Sequence, residues 1–219
     1  MTVVLTKVRC MINSSGITVF LIRHGESLAN VGHPTSDPTS IPLTSQGWQQ
    51  ARQVAESFKQ APDLLVTSPY LRTQQTAEPT RTRFPQVASA IWPIQEFTYL
   101  SPHNCINMTA TQRRPLVQAY WERGDFNAVD GPGAESFLHL IERAKQLLLR
   151  MEQHEHQEIV LFTHGQFMRM VVWLIQNPLL DWSLQTMQSW RAWMLSEPIR
   201  NGQIIPIAYS RLQGWRLYR

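Results

Sequence analysis

Short apolar runs alternate along the chain with stretches of helical periodicity, and this alternation limits the possible folds more than any other feature. Residues 17–22 (ITVFLI), 64–67 and 159–163 predict buried strands, and residues 91–97 (IWPIQEF) predict another that Pro93 weakens. Strands that alternate with helices pack as one sheet covered on both faces. The sequence therefore predicts a three-layer α/β/α sandwich with a mostly parallel central sheet.

The helical signals lie between these strands. Apolar residues recur at helical spacing in residues 48–58 and 137–151. Ser68 and Pro69 predict another helix start, with the serine as N-cap and the proline as first helical residue. A further helix is expected to begin at Gly165, directly after the strand at 159–163.

Two further segments complete the expected topology. Residues 204–212 and 215–219 predict an antiparallel hairpin near the end of the sequence. Glu135 and Ser136 are expected to begin the helix that follows them, where the helix dipole favours an acid. On this interpretation neither residue belongs to a functional site.

The length and composition predict one domain. With 219 residues, 43% of them hydrophobic, the chain can bury one substantial core. We expect that domain to span residues 17–219, after a loose N-terminal extension at 1–16. Residues 100–133 show a clean period only around 115–123, so they are interpreted as an insertion.

Cysteine use and the absence of long apolar segments predict a cytoplasmic protein. Cys10 and Cys105 are far apart, and neither belongs to a C-x-x-C pair or a disulfide framework. No stretch approaches the length of a membrane span, so no membrane partner is expected. The sequence gives no indication of the oligomeric state.

The basic character of the chain rests almost wholly on arginine. The formal net charge is +4, and lysine occurs only at positions 7, 59 and 145. Arginine is suited to the fixed, forked recognition of phosphate or carboxylate. The arginines are dispersed and form no basic run, so nucleic acid is not expected as a partner. A small phosphorylated metabolite fits this composition better.

Polar side chains with catalytic potential follow each predicted strand of the parallel sheet. The carboxyl ends of parallel strands meet at one edge, where ligands of α/β proteins bind. Two histidines, two arginines and one carboxylate are therefore expected close together, with Ser68 nearby. The five are Arg23, His24, Arg72, Glu96 and His164.

This set of residues fits phosphoryl transfer. Cationic side chains neutralise the oxygens of the transferred group, a neutral imidazole can attack phosphorus, and a carboxylic acid can protonate the leaving oxygen. Such a cycle requires neither a metal nor another cofactor. The chain has no G-x-S-x-G nucleophile elbow and no G-x-x-x-x-G-K-[ST] phosphate loop, which argues against two other enzyme classes.

Several segments also resemble one known family, in the order that the family shows. They are RHGES at 23–27, PLTSQGWQQA at 42–51, TSPYLRTQQTA at 67–77, PGAES at 132–136 and THGQ at 163–166. Together they resemble the histidine phosphatase superfamily, with its phosphoglycerate mutase-like fold. The resemblance implies a metal-independent phosphatase that acts on a small phosphomonoester through a phosphohistidine intermediate.

The resemblance also implies roles for particular residues. His24 would be the phosphorylated nucleophile, Arg23, Arg72 and His164 would form a cationic pocket, and Glu96 would be the general acid and base. Asn30 and backbone N–H groups near Gly165 would add hydrogen bonds to the phosphate. Gln166 stands where the family often has a second glycine, so one side of the pocket is expected to be bulkier.

Two other functions stay open at this point. The mutases of the superfamily hold a substrate carboxylate with an arginine pair in a comparable insertion, and Arg113 and Arg114 could do so here. The simpler interpretation is that both arginines are solvated at a helix start. A low-turnover protein that binds a phosphorylated ligand is the second alternative, although the set of His24, Arg72 and His164 is complete.

Overall fold

The computed structural model describes residues 16–34 and 36–218, so the expected extension at 1–16 lies almost wholly outside the described residues. The described strands form one six-stranded sheet, in the order β3-β2-β4-β1-β5-β6. Strands β1 to β4 run parallel, whereas β5 runs antiparallel to both of its neighbours. The strands are β1 (Ile17–Arg23), β2 (Leu64–Thr67), β3 (Ala88–Ile91), β4 (Glu158–Thr163), β5 (Ile204–Ser210) and β6 (Gly214–Leu217).

Six α-helices lie within the described residues, and a short 3-10 turn at His103–Cys105 precedes the third of them. Each helix in this part of the chain is too short or too polar to cross a lipid bilayer. The helices are α1 (Ser45–Ser57), α2 (Leu71–Arg83), α3 (Ala110–Arg123), α4 (Phe137–Glu152), α5 (Gly165–Gln176) and α6 (Leu184–Ser196).

Two separate apolar cores show that helices cover both faces of the sheet. Alternate residues of β1 belong to different cores, because successive strand side chains point to opposite faces. Val19 packs with residues of α4, α5 and α6, whereas Phe20 packs with residues of α1 and α2. The three-layer α/β/α sandwich with a mostly parallel central sheet is therefore confirmed.

The strand predicted at residues 91–97 was placed wrongly. Strand β3 ends at Ile91, and the amide of Trp92 makes the last link to β2 by donating to the carbonyl of Thr67 at 3.0 Å. Pro93 follows and has no N–H to continue the ladder. The next residues cross the carboxyl edge of the sheet, where the hydroxyl of Thr163 donates to the carbonyl of Ile94.

Two helix starts also differ from expectation. Helix α2 begins at Leu71 rather than at Pro69, because Ser68 uses its hydroxyl to contact His164 and to accept from the amide of Tyr70. In the insertion, α3 begins at Ala110, before the period that the sequence shows. A capping box between Thr109 and Gln112 starts this helix.

The predictions for the remaining elements are confirmed. Helix α4 begins after Ser136, whose hydroxyl accepts from the amide of His139, and α5 begins at Gly165. Strands β5 and β6 form the predicted hairpin. Strand β5 lies beside β1, so the backbone around Arg23 is bonded to Gly202 and Gln203, near the other end of the sequence.

Two glycines bring the loop after β1 against the start of α1. A Cβ on Gly25 would meet the carbonyl oxygen of Gly47 at 2.5 Å, and a Cβ on Gly47 would overlap the carbonyl oxygen of Glu26. Thr44 caps α1 and also donates its hydroxyl to the Glu26 carboxylate at 2.7 Å. Glu26 is thus bonded to the cap of α1.

We expect the substitution Gly47→Ala to destabilise the protein by about 1–3 kcal/mol, because the new methyl group would displace backbone on both sides of the contact. Alanine otherwise stabilises a helix relative to glycine by about 0.5–1 kcal/mol. A decrease in the free energy of unfolding would therefore show the steric contact, whereas an increase would contradict it. Urea unfolding measures the effect. Gln49→Ala, at an exposed position of the same helix, should change the free energy of unfolding by less than about 0.5 kcal/mol.

Candidate active site

A cavity of about 350 Å³ opens at the carboxyl edge of the sheet. The end of β1 and the starts of α2 and α5 form its floor, because these helices follow strands that neighbour each other in the sheet. The loop before α1, residues 96–105 and one face of α3 form its walls. Among the predicted site residues, those that line it are Arg23, His24, Asn30, Arg72, Glu96, Arg113 and Gln166.

His24 follows β1 directly and is only 3% exposed. Its Nδ1 lies 2.7 Å from the carbonyl oxygen of Gly25, and its Nε2 lies 3.2 Å from Nε of Arg72. A carbonyl only accepts and a guanidinium only donates, so the proton is on Nδ1 and the lone pair is on Nε2. Burial, then the charges of Arg72 and Arg23, lower the pKa of His24 well below 6.5. The imidazole is therefore neutral at pH 7.

His164 occupies the N-cap position of α5 and is fully buried. A guanidinium nitrogen of Arg72 donates to its Nδ1 at 3.0 Å, so the imidazole proton is on Nε2 and is donated to the hydroxyl of Ser68 at 2.7 Å. Ser68 continues the chain to Thr73, whose hydroxyl donates to the carbonyl of Tyr70. Burial and then Arg72 lower the pKa of His164 well below 6.5.

Arg72 connects the two imidazoles through one side chain. Its third hydrogen bond goes to the carbonyl of Pro38 at 2.7 Å, and its guanidinium carbon lies 4.8 Å from the centre of the Tyr70 ring. Burial lowers the pKa of Arg72 to about 10, although the carboxylate of Glu96 opposes this effect. The guanidinium is still charged at neutral pH, and it forms the cationic centre of the site.

Arg23 is the last residue of β1 and adds a second cation. One of its terminal nitrogens donates to the carbonyl of Ile199 at 2.5 Å, while its Nε is buried and has no hydrogen-bond partner among the described residues. Burial lowers its pKa and Glu96 raises it. A side chain at Gly165 would lie 3.4 Å from this Nε and 3.2 Å from a nitrogen of Arg169, so the glycine leaves room for both arginines.

Glu96 lies five residues beyond the end of β3, not at the strand end that the sequence predicted. Its Oε1 accepts from the amides of Gln166 at 3.0 Å and Phe167 at 3.3 Å, in the first turn of α5, and from its own neighbour Phe97 at 3.1 Å. The helix terminus that was expected to hold phosphate with these N–H groups thus binds Glu96. The other carboxylate oxygen of Glu96, Oε2, makes no hydrogen bond to another described residue.

An ion pair fixes the segment that carries Glu96. Arg143 of α4 donates to Glu135 through two nitrogens at 2.9 and 2.6 Å, and to the carbonyls of Pro93 and Gln95 at 2.9 and 3.3 Å. Glu135 in turn accepts from the amide of Thr98 at 3.3 Å. We call Glu135 and Arg143 the clamp. The prediction that Glu135 only begins a helix was wrong, because its carboxylate holds the backbone beside Glu96.

Asn30 and Gln166 both line the cavity, but each has only part of its side chain available to a ligand. Asn30 lines the cavity, but its carbonyl oxygen is used within the structure and accepts from Ser27 and Asn201 at 3.1 Å. Only its amide group is available as a donor. The side-chain oxygen of Gln166 is buried without a partner in the described residues. Gln166 therefore contributes one unsatisfied hydrogen-bond acceptor to the site.

The two arginines of the insertion have different surroundings. Ala110, Arg113 and Val117 line the cavity, and their spacing of three and then four residues places them on one face of α3. Arg114 lies one position further along the helix, outside the cavity, and is exposed. The expected arginine pair is corrected to one cavity arginine, Arg113.

Sequence reasoning missed three contributors to the site. Ser68 was expected only as a helix N-cap near the site, whereas it binds His164. Arg143 lies in a helix with no motif around it. Asn201 donates its amide to the carbonyls of His24 and Asn30, at 3.0 and 3.1 Å. No sequence pattern marks Arg143 or Asn201, because each reaches the site only through the tertiary fold.

No set of three or more histidine, cysteine, aspartate or glutamate side chains within residues 16–34 and 36–218 has the arrangement of a metal site. The site instead combines two neutral imidazoles, two guanidinium groups and one carboxylate. Such a set can bind the oxygens of a tetrahedral anion through its cations. It also presents one unprotonated imidazole nitrogen, Nε2 of His24, toward the same space.

We expect the protein to lose stability as the pH falls below about 6.5. The unfolded chain then binds protons at His24 and His164 that the folded chain excludes, so each histidine contributes about 1.4 kcal/mol per pH unit. Denaturant unfolding at pH 7.5, 6.5 and 5.5 measures the slope. His24→Asn should make the slope shallower, whereas His33→Gln, at an exposed position, should leave it unchanged. Equal slopes for wild type and His24→Asn would contradict a neutral buried His24.

We also expect Glu135→Gln to destabilise the protein by about 1–3 kcal/mol, because it leaves the partly buried Arg143 without its charged partner. Hydrogen exchange at the amides of Phe97 and Thr98 should become faster, since the clamp holds their segment. The matched control is Glu78→Gln, which breaks the exposed pair between Glu78 and Arg81 and should cost less than about 1 kcal/mol. Unchanged exchange at both amides would contradict the clamp.

Curated proteins resemble this chain mainly over short segments. The uncharacterized phosphatase PhoE of Bacillus subtilis (strain 168) is 43% identical over 61 residues, which cover 27% of this chain and 32% of the relative. The probable phosphoglycerate mutase GpmB of Salmonella paratyphi C (strain RKS4594) is 28% identical over 159 residues, covering 68% of this chain and 70% of the relative. The chain thus spans less than a third of the length of PhoE, the first of these relatives.

A solved structure shares the fold over nearly the whole chain. It is a mutant of the phosphoserine phosphatase of Entamoeba histolytica in complex with phosphoserine, with a TM-score of 0.70. The two chains are 23% identical, and the match covers 93% of this chain and 95% of that one. The profile of the histidine phosphatase superfamily (branch 1) matches residues 19–194. This chain therefore belongs to the histidine phosphatase superfamily.

Proposed function

We propose that the protein is a metal-independent phosphatase that hydrolyses a small phosphomonoester through a phosphohistidine intermediate on His24. One observation carries the proposal. The hydrogen bonds to Gly25 and Arg72 place the lone pair of His24 on Nε2, in a cavity that also contains Arg23 and Arg72. A neutral, oriented imidazole beside one buried and one partly buried cation is what nucleophilic attack on a phosphoryl group requires.

In the first step, phosphate oxygens take over hydrogen bonds from Arg72, which frees Nε2 of His24. The Nε2 lone pair attacks phosphorus, and the bond between phosphorus and the alcohol oxygen breaks. Glu96 enters this step as the carboxylic acid, having taken the proton of a bound phosphate monoanion, and gives that proton to the leaving oxygen. Because Oε1 of Glu96 already accepts three backbone N–H bonds, we assign that proton to Oε2.

In the second step, water attacks the phosphoryl group of the phosphohistidine. Glu96, now a carboxylate, takes the proton from that water, and the bond between phosphorus and Nε2 breaks. His24 and Glu96 return to their starting states. Arg23 and Arg72 stabilise the phosphoryl oxygens in both steps, with His164 positioning Arg72 by accepting at Nδ1, and the loss of one such cationic contact typically costs about 10²- to 10³-fold in rate.

The comparisons support this reaction class at a coarser level. The family to which the chain belongs contains phosphatases and phosphoglycerate mutase-like proteins. The Entamoeba structure that shares the fold is described as a phosphoserine phosphatase. We infer a small phosphorylated metabolite as substrate, and Cys105, a free buried cysteine, is consistent with a reducing cytoplasm.

The test is hydrolysis of 4-nitrophenyl phosphate by the purified protein in the presence of excess chelator. We expect turnover by the wild type, loss of turnover in His24→Ala, and a fall of about 10²-fold or more in Glu96→Gln. His33→Ala, at an exposed position outside the cavity, is the matched histidine control and should retain full activity. Mass spectrometry after acid-free quenching should detect phosphate on His24 of the wild type.

Two results would contradict the proposal. Loss of turnover in chelator would show that a metal ion is needed, and a fully active His24→Ala would exclude the phosphohistidine. Phosphorylation of His24 without turnover would instead favour the low-turnover binding protein.

A phosphoglycerate mutase is the second candidate, favoured by one observation. Arg113 faces the cavity and makes no ion pair within the described residues, so it could bind a substrate carboxylate. Arg114 lies outside the cavity, however, which leaves this arrangement incomplete. The products decide between the two functions, because a mutase returns the phosphoryl group to phosphoglycerate whereas a phosphatase releases inorganic phosphate.

A further inference from the structure

We propose that the cavity contains an apolar acceptor subsite, which selects phosphomonoesters of aromatic or branched aliphatic alcohols over those of polyols. The subsite is formed by Ile41, Tyr99, Leu100, Pro102 and Val117. This inference rests on the proposed function, since it assigns the alcohol part of the substrate to the cavity beside the phosphoryl site.

The subsite side chains lie where the alcohol part of the substrate must extend. The phosphoryl oxygens are assigned to the end where Arg23, Arg72 and His24 meet. The alcohol part must then extend away from the strand ends, toward residues 99–105 and the inner face of α3. Val117 lies on that face, one turn beyond Arg113. The acceptor side is therefore mainly apolar, and Arg113 adds one cation to it.

Two polar side chains beside the subsite, Thr98 and Cys105, offer few hydrogen bonds to a substrate. The hydroxyl of Thr98 donates to the carbonyl of Glu96 at 3.3 Å and lies 3.3 Å from the hydroxyl of Tyr70. Burial raises the pKa of the Cys105 thiol, so the thiol stays protonated. An alcohol that carries several hydroxyl groups would lose hydrogen bonds to water here without equivalent replacements.

The aromatic part of the wall is held rigidly. The ring of Tyr99 packs against Phe97, Tyr120 and Trp121, with ring centroids 5.2, 4.9 and 5.6 Å apart. A fixed aromatic surface binds another apolar group without first losing side-chain freedom. The cavity thus favours an apolar alcohol both by its chemistry and by its rigidity.

The first measurement compares two esters with similar leaving groups, 2-phenylethyl phosphate and glycerol 3-phosphate. Both leave as primary alkoxides, so the difference in kcat/KM reports on binding of the alcohol part. We expect a preference of at least about 10-fold for the phenylethyl ester, the scale of a small change in apolar contact. Equal values, or a preference for glycerol 3-phosphate, would overturn the subsite.

Two neighbouring positions of α3 supply matched variants. Val117→Asn places a polar group in the subsite and should reduce the preference about 10-fold or more, mainly through KM. Leu116→Asn makes the same kind of change at the next residue, which is 39% exposed and outside the cavity, and should keep the wild-type preference. An unchanged preference in Val117→Asn would contradict the assignment.

Binding to His24→Asn separates this inference from the proposed function. Calorimetry with the two esters gives dissociation constants that do not depend on turnover. Tighter binding of 2-phenylethyl phosphate by His24→Asn, together with an inactive wild type, would support the subsite and overturn the phosphatase. Turnover by the wild type, with no difference between the esters in rate or affinity, would overturn the subsite and leave the phosphatase intact.

Discussion

One guanidinium holds the candidate active site together. Arg72 donates to Nε2 of His24 and to Nδ1 of His164, so a single buried cation sets the tautomers of both imidazoles. A buried cation is costly unless its donors are satisfied. Here two imidazole lone pairs and the carbonyl of Pro38 accept three of its five N–H bonds. Either histidine as a cation would repel Arg72, and both are therefore kept neutral.

The sheet makes this arrangement possible because β1 and β4 are adjacent and in register. Arg23 pairs with Thr163 at the last position of the two strands, so the next residues, His24 and His164, emerge side by side. Their ring centroids are 5.1 Å apart. Arg72 reaches the same point from the first turn of α2, which follows the neighbouring strand. Geometry of this kind follows from strand order, and few further contacts are needed to create it.

The sequence predicted the parts of the structure that depend on local pattern. Clear hydrophobic patterns and the residues that bound them located β1, β4, α4 and α5. The positions directly after predicted strands pointed to His24, Arg72 and His164. The prediction was wrong at residues 91–97, where β-branched and aromatic residues suggested a strand but Pro93 ends the pairing.

Glu96 was predicted at a strand end, and the family resemblance implied its role as acid and base, but its observed position depends on tertiary contacts. Arg143 bonds to the carbonyl of Pro93 from 50 residues away, and Asn201 to that of His24 from 177 residues away. No local pattern can encode contacts of that range.

The attachment of the His24 loop to residues 201–203 also affects when the site can form. Long-range contacts form late, so the loop acquires its final geometry only after β5 has been synthesised and has docked beside β1. A growing chain on the ribosome would thus carry an unassembled site until residues 201–210 had emerged.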